Sequence, residues 1–351
     1  MPEKVDVVVV GAGVGGLAAA RALVAADVDV RVLEARDRVG GRLLSVRTGE
    51  MRIDLGATWF WANEPRVRAL ISELGLEVHA QHIDGDALYQ DSRGVHRLDG
   101  NPIEGPAGRL TAGMQGLAEA MAGALPRGTV RLEHPVTSIH ARGDGVSVES
   151  QGVMVRASAV VLALPPALAV EDIAFHPPLP ESAARLASTT PVWMGAMTKV
   201  VVRFERAFWR EQGLAGAVMS HVGPMREMHD MSGAGGCPAL LFGFVPPSGP
   251  GAPTVDRDQV MHQLVGLFGQ EMPEPLEILV HDWRAEAHTS PPGAERLQAY
   301  ETYGHPSYLE PVAGRLHWAS TETSREAPGH IEGALAAGAR AAAAILARER
   351  D

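Results

Sequence analysis

The hydrophobic and polar positions at the start of the chain predict a β-strand, a helix and a second β-strand. Residues 5–10 are valines with a single aspartate, and a run that is apolar on both faces is typical of a central strand in a parallel sheet. Residues 17–26 are rich in alanine and leucine and predict a helix. A second β-branched run, Val28–Leu33, ends at Glu34. The pattern therefore predicts a βαβ unit within about thirty residues.

The turn between this strand and the helix has the spacing of a dinucleotide-binding loop. Residues 11–16 read GAGVGG. Gly11 allows a tight turn, Gly13 lets the backbone approach a pyrophosphate, and Gly16 lets the helix pack close to the strand. Glu34 follows Gly11 at the distance at which an acid accepts hydrogen bonds from the adenosine ribose. The spacing predicts dinucleotide binding; a purely structural glycine turn is the alternative.

A second glycine pair follows the ribose-binding acid. Residues 35–42 read ARDRVGGR, and a further close backbone approach at Gly41 beside the guanidinium of Arg42 suits a second contact with the same pyrophosphate. From residue 11 to residue 42 the chain resembles the opening of the flavin-containing amine oxidase family, which includes monoamine and polyamine oxidases. The resemblance implies FAD rather than NAD, with Arg36, Gly41 and Arg42 among the residues that bind it.

The resemblance continues through the middle and the end of the chain. Residues 54–59, DLGATW, are similar to the family segment beside the isoalloxazine ring, with Ala57 in place of a usual glycine. Residues 318–346 resemble the closing signature of the family, which implies that a helix from about Glu332 points its N-terminus at the flavin. A positive helix end would stabilise the anionic reduced flavin. Further cofactor-binding residues implied by the resemblance are Gly56, Ala57, Thr58, Val136, Glu322 and Ile331.

Lysine usage distinguishes one residue from the rest of the chain. The 31 basic residues are 29 arginines and two lysines, Lys4 near the N-terminus and Lys199 in an apolar segment, 196–209, that is similar to a family strand. A desolvated ammonium group can lose its proton, whereas a guanidinium cannot. In the family the matching lysine holds a water against flavin N5 and is credited with aiding reoxidation by dioxygen, so the resemblance implies that Lys199 is catalytic. A strand-end lysine that extends to solvent is the structural alternative.

The predicted substrate side departs from the family pattern. Classical monoamine oxidases place two aromatic rings face to face before the flavin; His330 occupies one of these positions, and residues 289–292 offer no aromatic residue for the other. We predict Trp59, Trp283 and His330 as substrate residues and expect this aromatic cage to be absent or built differently. No cysteine lies at 289–293, where some members attach the flavin, so the resemblance implies non-covalent FAD.

Composition restricts the partners of the protein. The net charge of −11 argues against a nucleic-acid or anionic-membrane surface, and no run reaches the roughly 18 apolar residues of a membrane-spanning helix. The single cysteine, Cys237, excludes an intrachain disulfide, and the histidines lack metal-ligand spacing. We predict a cytoplasmic protein without a metal whose partners are a small-molecule amine and dioxygen. The oligomeric state stays open.

The predicted fold is α/β, with a Rossmann-type FAD-binding domain interwoven with a smaller α+β substrate domain. Residues 1–83, 106–170 and 284–351 are assigned to the first domain, and residues 84–105 and 171–283 to the second. The family carries a long helical insertion where this chain has only residues 84–105, which we expect to be mostly surface loop. A Pro/Gly-rich loop at 246–255 is expected to precede a helix at about 256–269.

These observations favour a FAD-dependent oxidoreductase that oxidises an amine by hydride transfer to flavin N5. Dioxygen would accept the electrons, and the products would be an imine and hydrogen peroxide. Two alternatives stay open. One is oxidation of a C–C bond in a biosynthetic metabolite, which the missing aromatic pair and the short substrate domain favour. The other is a flavin-binding protein without turnover, or a non-redox flavin isomerase.

Overall fold

The computed structural model describes residues 3–49, 51–143, 145–247 and 255–348. This part of the chain contains mixed sheets and helices in an interwoven order. Its eight α-helices are α1 (Val14–Val24), α2 (Pro65–Glu73), α3 (Gln115–Gly123), α4 (Pro166–Asp172), α5 (Glu181–Thr189), α6 (Phe208–Glu211), α7 (Arg257–Phe268) and α8 (Ile331–Arg348).

A five-stranded parallel sheet lies at the centre of the nucleotide-binding half. Its strands are, in spatial order, Val130–Arg131, Val30–Leu33, Val7–Val10, Ala159–Leu162 and Leu316–Trp318. The central strand Val7–Val10 is buried along its whole length, as its unbroken run of valines predicts. The predicted βαβ unit is confirmed, although α1 begins at Val14, before the predicted start, because Gly13 already serves as its N-cap.

Helices cover one face of the parallel sheet and a second sheet covers the other. The helix face includes α1, α3 and α8, which share one hydrophobic core with Val7 and Val9. Helices α1 and α8 touch through their backbones: a Cβ at Gly338 would lie only 2.2 Å from the carbonyl oxygen of Gly15. The opposite face, with Val8 and Val10, packs on the second sheet. The result is a three-layer unit with the parallel sheet in the middle.

The second sheet contains the predicted meander. Its strands are, in order, Glu3–Lys4, Val153–Ala157, Gly145–Ser150, Val136–Arg142 and Ala174–His176. The last strand pairs in parallel with Val136–Arg142, although residues 171–176 were assigned to the substrate domain. Pairing of backbone groups across the sheet, together with the burial of Ile173 in the same core, holds this segment to the first unit. The two-domain division itself stays a prediction.

A seven-stranded sheet forms most of the second unit. Its strands are, in order, Glu277–Asp282, Thr198–Phe204, Ala239–Val245, Glu227–Asp230, Leu214–Ser220, Asp86–Asp91 and Gly94–Leu98. Helix α7 packs on one face of it. The expectation of a surface loop at 84–105 is wrong for Asp86–Leu98, which forms a hairpin at the sheet edge. The hairpin forms because Leu88 and its neighbours pair with Leu214–Ser220 and bury apolar side chains.

Smaller elements connect these units. Phe60–Trp61, Ala107–Leu110 and Val78–Ala80 form a three-stranded sheet, and Ser45–Thr48 pairs with Met51–Asp54. The helix predicted near 256–269 is confirmed as α7, with Asp256 as its N-cap; residues 248–254 of the loop before it lie outside the described residues. Among the described residues, none of the helices is both long and apolar enough to span a bilayer. The fold is α/β, with a Rossmann-type parallel sheet interwoven with a seven-stranded sheet.

Candidate active site

A cavity of about 820 Å³ lies between the parallel sheet and the seven-stranded sheet. Its wall includes the ends of strands Val7–Val10 and Val30–Leu33 and the N-termini of α1 and α8. It also includes Lys199, Glu227 and Phe244 from three strands of the seven-stranded sheet. Gly16 and Glu322 are the two predicted site residues that do not line it. The predicted residues on its wall are Gly11, Gly13, Glu34, Arg36, Gly41, Arg42, Gly56, Ala57, Thr58, Trp59, Val136, Lys199, Trp283, His330 and Ile331.

The glycine turn presents bare backbone to the cavity. Gly11 has a φ of 100°, which favours glycine, and a Cβ at Gly13 would meet no atom within 4 Å. A Cβ at Gly16 would instead lie 2.0 Å from the carbonyl oxygen of Gly11, so this residue serves helix packing. No side chain caps α1, and its first N–H groups therefore face the cavity without a side-chain partner. A helix end of this kind suits an anion.

Glu34 is fixed by backbone donors at the end of its strand. Its carboxylate accepts the N–H of Ala12 at 2.7 Å and the N–H of Arg36 at 2.9 Å. The side chain is buried but borders the cavity. Each carboxylate oxygen has a second lone-pair site, so Glu34 can also accept hydroxyl groups of a ligand.

Arg42 and Glu322 form a buried ion pair beside the cavity. The two distances between their nitrogen and oxygen atoms are 2.6 Å and 3.1 Å, and Glu322 is fully buried. Burial would raise the pKa of Glu322, but the adjacent guanidinium holds it below the usual value. Glu322 also accepts the backbone N–H of Trp193 at 3.2 Å. The structure thus places Glu322 behind Arg42 rather than on the cavity wall.

Arg36 is bound by residues 286–289, about 250 positions later in the chain. Its guanidinium lies 2.8 Å from Glu286 and donates to the hydroxyl of Thr289 at 2.8 Å and to the carbonyl of His288 at 3.1 Å. These contacts connect the loop after Val30–Leu33 to the segment after the seven-stranded sheet. Arg36 still borders the cavity, together with His288 and Thr289.

Lys199 is buried where the two sheets meet. Its Nζ donates to the carbonyl of Gly56 at 2.9 Å and to the hydroxyl of Thr58 at 2.5 Å, and it lies 4.2 Å from the ring centre of Phe242. The side chain is 2% exposed, so the alternative of a lysine extending to solvent is wrong. Burial lowers the pKa of Lys199 to about 7, while Asp54 raises it.

Aromatic side chains from four segments form another part of the cavity wall. Trp59 packs edge-on against Trp61, with ring centres 6.1 Å apart. The ring of His330 lies 4.9 Å from that of Trp61 and 6.5 Å from that of Trp193. Trp283 is buried and donates its indole N–H to the carbonyl of Leu55 at 3.1 Å. The aromatic cage was expected to be absent or built differently. At that place the indoles of Trp61 and Trp193 lie beside the ring of His330.

Sequence reasoning missed three acids on this wall, Glu64, Asp172 and Glu227. Glu64 precedes α2 and contacts His330. Glu227 lies 2.8 Å from Nε2 of His229, whose Nδ1 lies 2.7 Å from Glu104. No spacing in the sequence joins these residues, since they come from four distant segments. Among the described residues, none of the clusters of His, Cys, Asp and Glu could hold a metal ion.

A sequence profile of the family described as flavin containing amine oxidoreductase matches residues 14–111 and 83–346. The two matches overlap between 83 and 111, which includes the segment where the family insertion was predicted to be missing. Putrescine oxidase from Kocuria rosea is 27% identical over 456 aligned positions, which cover 97% of this chain and 95% of that protein. Because this chain has 351 residues, more than about a hundred of those positions have no counterpart in it.

Solved structures show the same fold. A structure of putrescine oxidase with putrescine bound has a TM-score of 0.87 at 24% identity and covers 99% of this chain and 100% of that one. Cyclohexylamine oxidase from Brevibacterium oxydans has a TM-score of 0.83 at 25% identity, with the same coverage. With the family profile matching nearly the whole chain, the protein belongs to the flavin-containing amine oxidoreductases.

Proposed function

We propose that the cavity binds FAD without a covalent bond and presents an amine to it at the Lys199 end. The observation that carries the proposal is the continuity of one cavity from the glycine turn to the buried lysine and the indoles of Trp59 and Trp61. Family membership supplies the reaction class, which is FAD-dependent oxidation of an amine.

The residues at the nucleotide end fit FAD. Open space beside Gly13 and the uncapped N-terminus of α1 suit a pyrophosphate, and the backbone-fixed carboxylate of Glu34 suits a ribose. The N-terminus of α8 at Ile331 provides a second positive helix end at the cavity wall. The other residues proposed to contact the cofactor are Gly11, Arg36, Gly41, Arg42, Gly56, Ala57, Thr58 and Val136; Gly16 and Glu322 would support them from behind.

Bound FAD would supply the redox chemistry, since it can take a hydride from the α-carbon of the amine and pass two electrons to dioxygen. Overall, amine, dioxygen and water give a carbonyl compound, the released nitrogen base and hydrogen peroxide. In this proposal Trp59, Trp283 and His330 orient the amine and exclude water. Lys199 provides a buried positive charge that favours electron transfer to dioxygen.

Dioxygen as the electron acceptor and a cytoplasmic location belong to this proposal. The buried ammonium of Lys199 supports the first, because reduction of dioxygen creates negative charge that a nearby cation stabilises. The single cysteine, Cys237, supports the second, because it suits a reducing compartment.

Glu227, an acid on the cavity wall, indicates a substrate with a second positive group. The His229 hydrogen bond lowers the pKa of Glu227 more than burial raises it, so Glu227 presents a carboxylate to the cavity. A carboxylate near apolar walls attracts a cation. Putrescine oxidase, a relative of this chain, is named for a diamine. We therefore propose diamines as preferred substrates, with one nitrogen near Lys199 and the other near Glu227.

Substitution at Glu227 tests the substrate class. Glu227→Gln should raise KM for a diamine by about tenfold, which corresponds to about 1.4 kcal/mol. The same change should leave KM for a monoamine of equal chain length within about twofold. An equal effect on both substrates would show that Glu227 does not bind the second nitrogen.

Anaerobic titration tests the reaction itself. The purified protein should be yellow, and a diamine should bleach its flavin absorbance when dioxygen is absent. Admission of air should restore the colour and release hydrogen peroxide. A yellow protein that no amine bleaches would refute amine oxidation. The alternative of C–C oxidation was favoured by a missing aromatic pair and a short substrate domain, and the indoles of Trp61 and Trp193 remove the first of these two reasons.

A further inference from the structure

Glu64 and His330 form a hydrogen-bonded pair on the wall of the cavity. Nδ1 of His330 lies 2.8 Å from Oε1 of Glu64. The Glu64 side chain is 5% exposed, whereas that of His330 is 35% exposed, and both residues border the cavity. The second oxygen of Glu64 accepts the backbone N–H of Trp61 at 2.9 Å. The carboxylate is therefore fixed in place and orients the imidazole.

This contact determines which nitrogen of His330 is available to a ligand. A carboxylate oxygen accepts, so Nδ1 carries the hydrogen in the neutral ring and Nε2 carries the lone pair. Within the described part of the chain, Nε2 makes no hydrogen bond, while Nδ1 contacts Glu64. His330 thus presents a free proton acceptor at the cavity wall.

The imidazole ring of His330 lies between an indole and a carboxylate. The indole of Trp61 lies 4.9 Å from the imidazole, within the range of a cation–π interaction, and Glu64 provides a negative charge on the other nitrogen. The charged groups on neighbouring elements are Arg66, which pairs with Glu326 and Glu332, and Arg42, which pairs with Glu322. Lys199 also borders the cavity.

We propose that His330, positioned by Glu64, accepts the proton of the substrate ammonium group. The inference rests on the proposed amine oxidation. Alkylamines are ammonium ions near neutral pH, and the nitrogen must have a free lone pair before the α-hydride can leave. In the step, one N–H bond of the ammonium breaks and an Nε2–H bond forms. The proton charge stays between Glu64 and Trp61, and the amine becomes neutral inside the cavity.

His330 is better placed for this step than Lys199. Nζ of Lys199 already has two partners, the carbonyl of Gly56 and the hydroxyl of Thr58, whereas Nε2 of His330 is unengaged within the described residues. The carboxylate behind the imidazole also compensates the positive charge that forms there, as in the general-base pairs of other enzymes.

Proton counting on binding tests the inference without turnover. The ligand is tert-butylamine, which has no hydrogen on its α-carbon and cannot be oxidised. Its binding to the FAD-loaded protein at pH 8 is measured calorimetrically in phosphate and in Tris, whose ionisation heats differ. The wild-type protein should release close to no proton to the buffer, because His330 keeps it. His330→Gln should release about one proton per amine bound.

Kinetics of flavin reduction provide the second measurement. In anaerobic stopped-flow experiments, His330→Gln should reduce the flavin at least tenfold more slowly than wild type at pH 7 and equally fast near pH 10, where the free amine is abundant. Glu64→Gln should show a smaller loss with the same pH trend. His262→Gln changes an exposed histidine on α7 and should match wild type at every pH.

Two results would overturn the inference. The first is a binding result in which wild type releases a full proton or His330→Gln releases none. The second is a kinetic result in which His330→Gln slows flavin reduction equally at pH 7 and pH 10, which indicates a merely structural role. Failure of the proposed function gives a different result, since no amine would then bleach the wild-type flavin. A wild type that is bleached normally, with unchanged proton counts in the variants, would refute only the role of His330.

Discussion

Nζ of Lys199 lies 2.9 Å from the carbonyl oxygen of Gly56. This hydrogen bond joins a strand of the seven-stranded sheet to the loop after Met51–Asp54, so it connects the two units at the cavity. A second hydrogen bond, to Thr58, fixes the direction of the ammonium group. The position of this charge therefore depends on both units and not on the strand alone.

Lys199→Met should slow reoxidation of the reduced flavin by dioxygen by at least tenfold, a change of about 1.4 kcal/mol in barrier. The buried positive charge beside the ring of Phe242 disappears, while methionine keeps an unbranched apolar side chain in its place. Stopped-flow mixing of pre-reduced protein with dioxygen measures the rate. Lys4→Met alters the other lysine, which is exposed, and should leave the rate unchanged. Equal rates in all three proteins would refute the role of Lys199.

Stability should depend on pH through the same residue. The pKa of Lys199 is lowered from 10.5 to about 7 by burial, so between these values the unfolded chain binds the proton and the folded chain does not. The cost of burying Lys199 is therefore complete below pH 7 and disappears as the pH rises to about 10.5, a slope of up to about 1.4 kcal/mol per pH unit. Urea unfolding of wild type and Lys199→Met should show their stability difference shrinking from pH 7 to pH 10. A constant difference would contradict the lowered pKa.

Two alanine substitutions in the glycine turn should affect different properties, FAD binding in one case and stability in the other. Gly13→Ala adds a Cβ that meets no atom within 4 Å, so the protein should fold normally but bind FAD at least tenfold more weakly, because the methyl group occupies ligand space. Gly16→Ala places its Cβ 2.0 Å from a backbone oxygen and should lower the melting temperature of the apoprotein. Flavin fluorescence and thermal unfolding measure the two effects. Weak FAD binding only in Gly16→Ala would refute the assigned roles.

Glu322→Gln should destabilise the protein by about 3–5 kcal/mol, because it leaves the guanidinium of Arg42 without its buried partner. The pair Arg52 and Glu119 is a matched surface control, with the Glu119 side chain 40% exposed. Glu119→Gln should cost less than about 1 kcal/mol. Urea unfolding measures both changes. Similar costs at the two sites would show that burial of the Arg42 pair is unimportant.

Local sequence was sufficient for the first strands and helices and for the glycine turn. The valines at 7–10 pair with the strand Val30–Leu33, which is close in sequence, and the glycines at 11, 13 and 16 form the turn between them and helix α1. The observed elements therefore match the prediction within a few residues. The hairpin at 86–98 was not predicted, because its stability comes from pairing with Leu214–Ser220, more than a hundred residues later. The same is true of the parallel pairing of Ala174–His176.

The sequence by itself determined the βαβ unit, the dinucleotide-binding spacing and the unusual lysine at 199. These features follow from local steric limits and from residue chemistry. Only the tertiary structure decided that Glu322 lies behind Arg42 and that Glu64 orients His330. Each of these pairs joins residues more than 250 positions apart. Such contacts depend on how the sheets and helices pack, and no local pattern encodes that packing.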